Sequence, residues 1–242
     1  MRIVIFSDVH ANLLAYNAFL SDLGKRKFDA VYCLGDLVGY HIWPNEVIEK
    51  TRKRRFQCLK GNHEDNAFSY KQLTNKPLIE NFDYEMISDE NIQFLASLPS
   101  TICLNQNTFD SKISTLLVHG SPNSNKEYLL ENTEDEVYRE LFIKQNVEII
   151  CCGHSHKPFH KVVKVDEKFC HVINVGSVGK PKDGNPESCY VILEINENST
   201  LNNHEGISVE FFRVKYNVLK ASKELISSPL SNELADRLLK AY

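Results

Sequence analysis

The sequence predicts an α/β fold in which a sheet flanked by helices carries its functional groups along one edge. Two observations predict it. Short apolar β-rich runs alternate with helical stretches over the first half of the chain, and polar residues gather where each run ends. A third, the length of 242 residues, suits one generous α/β domain spanning 1–242.

The elements follow in order. Arg2 to Phe6 is an apolar strand that stops at Ser7-Asp8-Val9-His10. Leu13, Leu14, Ala18, Phe19 and Leu23 recur at helical spacing, and Gly24 stops them. Asp29 to Leu34 is a second strand closed by Gly35-Asp36, and Pro44 opens the next helix. Phe56 to Lys60 is a third strand, closed by Gly61-Asn62-His63-Glu64. From 67 to 98 the pattern is helical and less apolar, which predicts a helical insertion or cap. Ile113 to Val118 is a strand ending at His119-Gly120. A helix over Thr133 to Gln145 and a strand over Glu148 to Cys152 lead to Gly153-His154-Ser155-His156. Period-2 runs at His160–Val165, Phe169–Val175, Tyr190–Ile195 and Ile207–Val214 predict antiparallel pairs completing a second sheet, before two short tail helices over Val218–Tyr242.

Composition narrows the function. A net charge of −4 does not recommend a polyanionic partner, so no stable nucleic-acid partner is expected. The one dense basic run, Arg52-Lys53-Arg54-Arg55, follows a helical stretch, where cations suit a helix C-terminus. The apolar opening ends at Ser7, too early for a signal or a membrane span. Seven cysteines without a C-x-x-C motif favour a reduced, cytoplasmic setting. No G-x-S-x-G motif surrounds Ser121 or Ser177, which argues against a serine hydrolase.

The chemistry lies in the strand ends. Asp8 with His10, Asp36, Asn62 with His63, His119, and His154 with His156 place eight donor groups on five loops. Strand-end loops of such a sheet converge on one edge. Imidazole and carboxylate together suit manganese, iron, zinc or nickel better than calcium. Asp8-x-His10 and His154-x-His156 are expected to leave extended turns with both side chains on one side. Gly35, Gly61 and Gly153 precede donors, where a missing Cβ permits close backbone approach. His160, His171 and His204 read as structural or solvated.

These blocks, Asp8-Val9-His10, Gly35-Asp36, Gly61-Asn62-His63-Glu64, His119-Gly120 and Gly153-His154-Ser155-His156, resemble the calcineurin-like metallophosphoesterases. Gly35 to Tyr40 with Pro44-Asn45-Glu46, His119 to Pro122, and Asn174 to Pro181 look like a bacterial predicted-phosphodiesterase branch. The resemblance implies a four-layer α/β/β/α metallophosphoesterase sandwich. It implies two divalent or trivalent transition-metal ions, manganese foremost, with Asp8, His10, Asp36 and His156 on the first and Asn62, His119, His154 and again Asp36 on the second. It also implies a phosphodiester or phosphomonoester of a small molecule or nucleotide, hydrolysed by attack of a metal-bound hydroxide. His63 would then face the substrate and act with Asp36 in catalysis, and Asn62 and His63 would contact the substrate.

The same family includes dinucleoside polyphosphate hydrolases, protein phosphatases and non-catalytic scaffolds, which stand as alternatives. The Arg residues that the first two carry after Gly-Asp or Asn-His-Glu are absent, since Leu37 to Tyr40 and Asp65 to Phe68 stand there. Two departures from the nearer branch bear on the substrate. His41, beside Trp43, replaces a usual glycine and is a candidate substrate contact, because an aromatic ring can stack on a base. Val175 replaces a usual proline, and Lys182 replaces a frequent arginine, keeping the charge without the fork.

Overall fold

The computed structural model describes residues 1–74 and 82–242. Part of the predicted 67–98 insertion, residues 75–81, therefore lies outside the described residues.

Two five-stranded sheets stack face to face. The first has the order β10 (Ser208–Val214), β9 (Ser188–Glu194), β1 (Arg2–Phe6), β2 (Ala30–Cys33), β3 (Gln57–Cys58). The second has the order β4 (Thr101–Asn107), β5 (Lys112–Val118), β6 (Ile149–Cys152), β8 (Lys168–Asn174), β7 (Phe159–Val165). The strands β1, β2 and β3 run parallel, as do β5, β6 and β8, and the flanking strands are antiparallel.

The central strands read as unbroken apolar runs because both of their faces are buried. In β1, Ile3 and Ile5 point into the core between the sheets, while Val4 and Phe6 point out to the helices. In β6, Ile149 and Cys151 face the inter-sheet core and Ile150 and Cys152 the other side. On the first sheet lie α1 (Leu13–Leu23), α2 (Pro44–Lys53), α3 (Asn62–Lys71) and α5 (Asp89–Ala96), joined through Phe19, Ile48, Ala67 and Leu95. On the second lies α6 (Asp135–Gln145), through Tyr138, Leu141 and Phe142. The result is the expected four-layer α/β/β/α sandwich.

Local chemistry sets the helix ends. Asn12 and Ser88 cap α1 and α5 by accepting from Ala15 N–H and Asn91 N–H. Short α4 (Phe82–Glu85) sets Asp83 and Tyr84 inward, and the tail helices α7 (Val218–Ile226) and α8 (Asn232–Lys240) pack together through Ala221, Leu225, Ala235 and Leu238. Among the described residues no helix is long and apolar enough to cross a membrane.

Two expectations are corrected. The late strands do not all complete the second sheet: β7 and β8 do, but β9 returns to pair with β1 and β10 pairs with β9. Period-2 alternation identifies strands without naming their partners. The run Tyr-Val-Ile-Leu at Tyr190–Leu193 is buried on both faces, which marks an interior strand. The edge strand β4 also escaped the sequence reading, because Thr-Ile-Cys-Leu-Asn-Gln-Asn alternates weakly and leaves one side in water.

Candidate metal centre

The parallel strands of both sheets end at a common edge, and the candidate donors sit in the loops there. The loop after β1 supplies Asp8 and His10, that after β2 Asp36, and the start of α3 Asn62 and His63. The second sheet brings His119 after β5 and His154 and His156 after β6. Three groups of these side chains converge, each with its donor atoms within 4.8 Å of one another: Asp8, His10 and His156; His10, Asp36 and His63; and Asp36, His119 and His154. Asn62 joins the last group through Oδ1, 3.1 Å from His119 Nε2. All eight candidates thus come together.

The backbone is bent to achieve this. Asp8, His10, Asp36, His154 and His156 all have positive φ, between 49° and 64°, which non-glycine residues rarely adopt. The extended turn expected for Asp8-x-His10 and His154-x-His156 is therefore wrong. Left-handed kinks, held from outside, aim these side chains. Ser177 Oγ donates to Asp8 O at 2.7 Å, and Asn174 Nδ2 donates to Gly153 O at 2.7 Å. Val178 N–H and Gly179 N–H donate to Ser7 O and Asp8 O. The Asn174–Pro181 stretch is thus the brace of the Asp8 and His154 loops.

His10, His119, His156, Asp8 and Asp36 each have one side committed to the protein and one left for the centre. His10 Nδ1 lies 3.0 Å from Val38 O, and His119 Nδ1 lies 2.9 Å from Leu34 O. His156 Nδ1 lies against Lys180 O. A carbonyl can only accept, so each Nδ1 carries a proton, and in the neutral ring Nε2 offers a lone pair. Those lone pairs crowd together: His10 and His156 Nε2 are 3.1 Å apart, and Asp8 Oδ1 is 3.2 Å from His156 Nε2. Asp8 Oδ2 accepts from His154 N–H, while Oδ1 is buried with no hydrogen-bond donor. Asp36 Oδ1 accepts from His63 N–H, and Oδ2 stands 3.3 Å from His119 Nε2 and 3.7 Å from His10 Nε2. A buried carboxylate oxygen surrounded by bare imidazole nitrogens fits a transition-metal cation in its donor chemistry.

The charges respond accordingly. Burial lowers His10 and His63 to about 4, keeping both neutral at pH 7. Burial also opposes charge on His119, but Asp36 outweighs it and lifts that group to about 10. Asp8 and Asp36 are held well below the usual carboxylate range, burial being overcome by the neighbouring imidazoles of His156 and His10 for Asp8 and by His119 and His63 for Asp36.

Three side chains not assigned a role from the sequence complete the site. Glu64 is buried and accepts from Asp36 N–H at 2.8 Å, Leu37 N–H at 2.8 Å and Gly61 N–H at 2.7 Å, fastening the β2 and β3 loops together. The Gly61-x-x-Glu64 spacing, a capping-box pattern, was the available signal. Tyr84 Oη lies 2.6 Å from His63 Nδ1, and the Tyr40 ring packs on both His10 and His63. Neither tyrosine stands in a motif. His41 is buried, stacked on Trp43, with Nδ1 accepting from Ile42 N–H and Nε2 unpartnered. His160 and His171 stack on each other away from the centre.

The model of the calcineurin-like phosphoesterase superfamily domain matches residues 1–198. An uncharacterized protein of Methanocaldococcus jannaschii is 31% identical over 253 residues, covering 98% of this chain and 96% of its own. A metallophosphoesterase from Sphaerobacter thermophilus superposes over 100% of both chains with a TM-score of 0.78 at 28% identity. A hypothetical protein from Pyrococcus horikoshii does so over 98% of this chain and 97% of its own, with a TM-score of 0.78 at 18% identity, a likeness of fold.

Proposed function

We propose, because the chain belongs to the calcineurin-like phosphoesterase superfamily, that it hydrolyses a phosphodiester or phosphomonoester of a small molecule or nucleotide in a reaction that requires two transition-metal ions. The observation that carries the reading is the position of Asp36, which stands in two of the three converging donor groups, so one carboxylate serves both halves of the centre. Asp8, His10, Asp36 and His156 would hold one ion, and Asp36, Asn62, His119 and His154 the other. When bound, such a pair supplies Lewis acidity to the phosphoryl oxygens and brings the pKa of water to roughly 7.

The chain's own groups do the rest. His63 is neutral and its Nδ1 faces Tyr84 Oη. With the tyrosine donating, the proton resides on Nε2, where it can hydrogen-bond the leaving oxygen as charge develops. Tyr40 packs on the His63 and His10 rings and fixes their planes. Glu64 holds the Asp36 loop without meeting substrate.

Purified protein loaded with Mn²⁺ should hydrolyse an aryl phosphate or bis-aryl phosphodiester, and a chelator should abolish the rate. His63→Ala should keep two metal ions per chain by elemental analysis and lose turnover. Fewer than one ion per chain, with no hydrolysis on either ester class, would defeat the reading.

A further inference from the structure

The donor edge is flanked by three cations, Lys180, Lys182 and Arg237, and only Arg237 has an ion-pair partner among the described residues. Lys180 is only 4% exposed, its ammonium lies over the Tyr40 ring at 4.6 Å, and it has no ion-pair partner among the described residues. Lys182 is half-buried and forms no ion pair among the described residues, and its backbone N–H donates to His156 O. Arg237, on α8, pairs through Nη2 with Glu233, but its Nε is buried with no acceptor. Buried cations without partners are costly unless an anion joins them. In a chain of net charge −4, such a cluster is not a by-product of general basicity.

Beside it runs a solvent-open cleft of about 460 Å³, with His63, Tyr40 and Tyr84 on one side and Leu230, Leu234 and Arg237 from the tail on the other. The size is that of a small-molecule site. It starts at His63, the group facing the leaving oxygen, and combines aromatic and aliphatic walls with the Arg237 guanidinium and two carboxylates, Asp83 and Glu233, the latter paired with Arg237.

We infer that this cleft receives the leaving group of the ester, and that the leaving group is a flat or apolar body bearing a second oxyanion, which Arg237 binds, with Lys180 over the Tyr40 ring that forms part of the wall. The inference rests on the phosphoesterase reading above.

The test compares phenyl phosphate, 4-carboxyphenyl phosphate and 1,4-phenylene bisphosphate on wild type, Arg237→Ala and Arg237→Lys. Expected is a loss of kcat/KM in Arg237→Ala that is about tenfold or more larger for the two substrates with a second anion than for phenyl phosphate, with part of the difference restored in Arg237→Lys. The larger effect among the two identifies the second group as carboxylate or phosphate. Calorimetry on metal-free protein supplies a second readout: 4-carboxybenzylphosphonate should bind wild type about tenfold more tightly than benzylphosphonate, and Arg237→Ala should not discriminate. Circular dichroism and melting check that α8 stays folded. Equal losses on all three substrates, or no discrimination by wild type in calorimetry, overturn the inference. If wild type hydrolyses nothing yet discriminates between the phosphonates through Arg237, the phosphoesterase reading falls and the anion site stands.

Discussion

Gly39→Ala is the most informative single change outside the donors. Gly39 has φ +94°, a conformation costing a side-chain-bearing residue about 1–3 kcal/mol. A Cβ there would lie 2.2 Å from His63 Nδ1 and 2.8 Å from its Cε1. The imidazole must therefore retreat by about 1 Å, which breaks its 2.6 Å contact with Tyr84 Oη. Losing that bond adds about 0.5–1.5 kcal/mol. The two together come to about 2–4 kcal/mol, or a fall in Tm of roughly 5–15 °C for a chain of this size. A 1 Å displacement of a reacting group costs about 100-fold in rate. Gly39 donates no ligand, so metal content should remain at the wild-type value. The assay combines thermal melting, elemental analysis and steady-state hydrolysis of an aryl phosphate. A variant that melts early but turns over at the wild-type rate would refute the claim that His63 is positioned by the space Gly39 leaves.

Three further outcomes are expected. Asp36→Asn removes the carboxylate shared by two donor groups and should lower metal affinity by more than about 100-fold, read by titration with Mn²⁺ or Zn²⁺. Tyr84→Phe should leave the metal content intact and reduce kcat about tenfold, because only the hydrogen bond to His63 Nδ1 is lost; an unchanged kcat would assign the tyrosine to packing alone. His171 is fully buried, and burial lowers it to about 3 in the folded state against about 6.5 unfolded. Its folded pKa is depressed, so its contribution is whole above pH 6.5 and drains away as the pH falls toward 3. Between pH 7.5 and 5.5 that is about 1.4 kcal/mol, and urea unfolding at the two pH values should show His171→Leu losing less stability on acidification than wild type.

The sequence made the donors legible and left their supports obscure, for a physical reason. Asp8, His10, Asp36, His119, His154 and His156 each follow an apolar strand, and the end of a strand is readable from local composition. Tyr84 and Tyr40 act by tertiary contact alone: a phenol in a four-residue helix meets a histidine 21 residues earlier, and no local pattern records that. Arg237 is more remote still, since it reaches the centre only because α7 and α8 fold back over Leu14, Ile42 and Phe82. The misassignment of β9 has a related origin. Its residues fix that it is a buried strand, whereas the choice of β1 as partner depends on the return of the chain across the whole domain.

The kinked backbone at the donors explains why the bracing segment is so extensively hydrogen-bonded. Five of the eleven non-glycine residues with positive φ among the described residues are candidate ligands, and each such conformation costs on the order of 1 kcal/mol or more. Loops left to themselves would relax toward ordinary turns and scatter the donors. The compensation comes from groups distant in the chain: Ser177, Val178 and Gly179 hold Ser7 and Asp8 from about 170 residues away, and Asn174 holds Gly153. Glu64 ties three N–H groups of the β2 and β3 loops. Gly179 has to be glycine for this, since a Cβ would sit 1.7 Å from Val9 O. The donor geometry is thus set before any cation arrives. The strain at Asp8 and His10 persists because both sheets and the segment that joins β8 to β9 must rearrange together to release it.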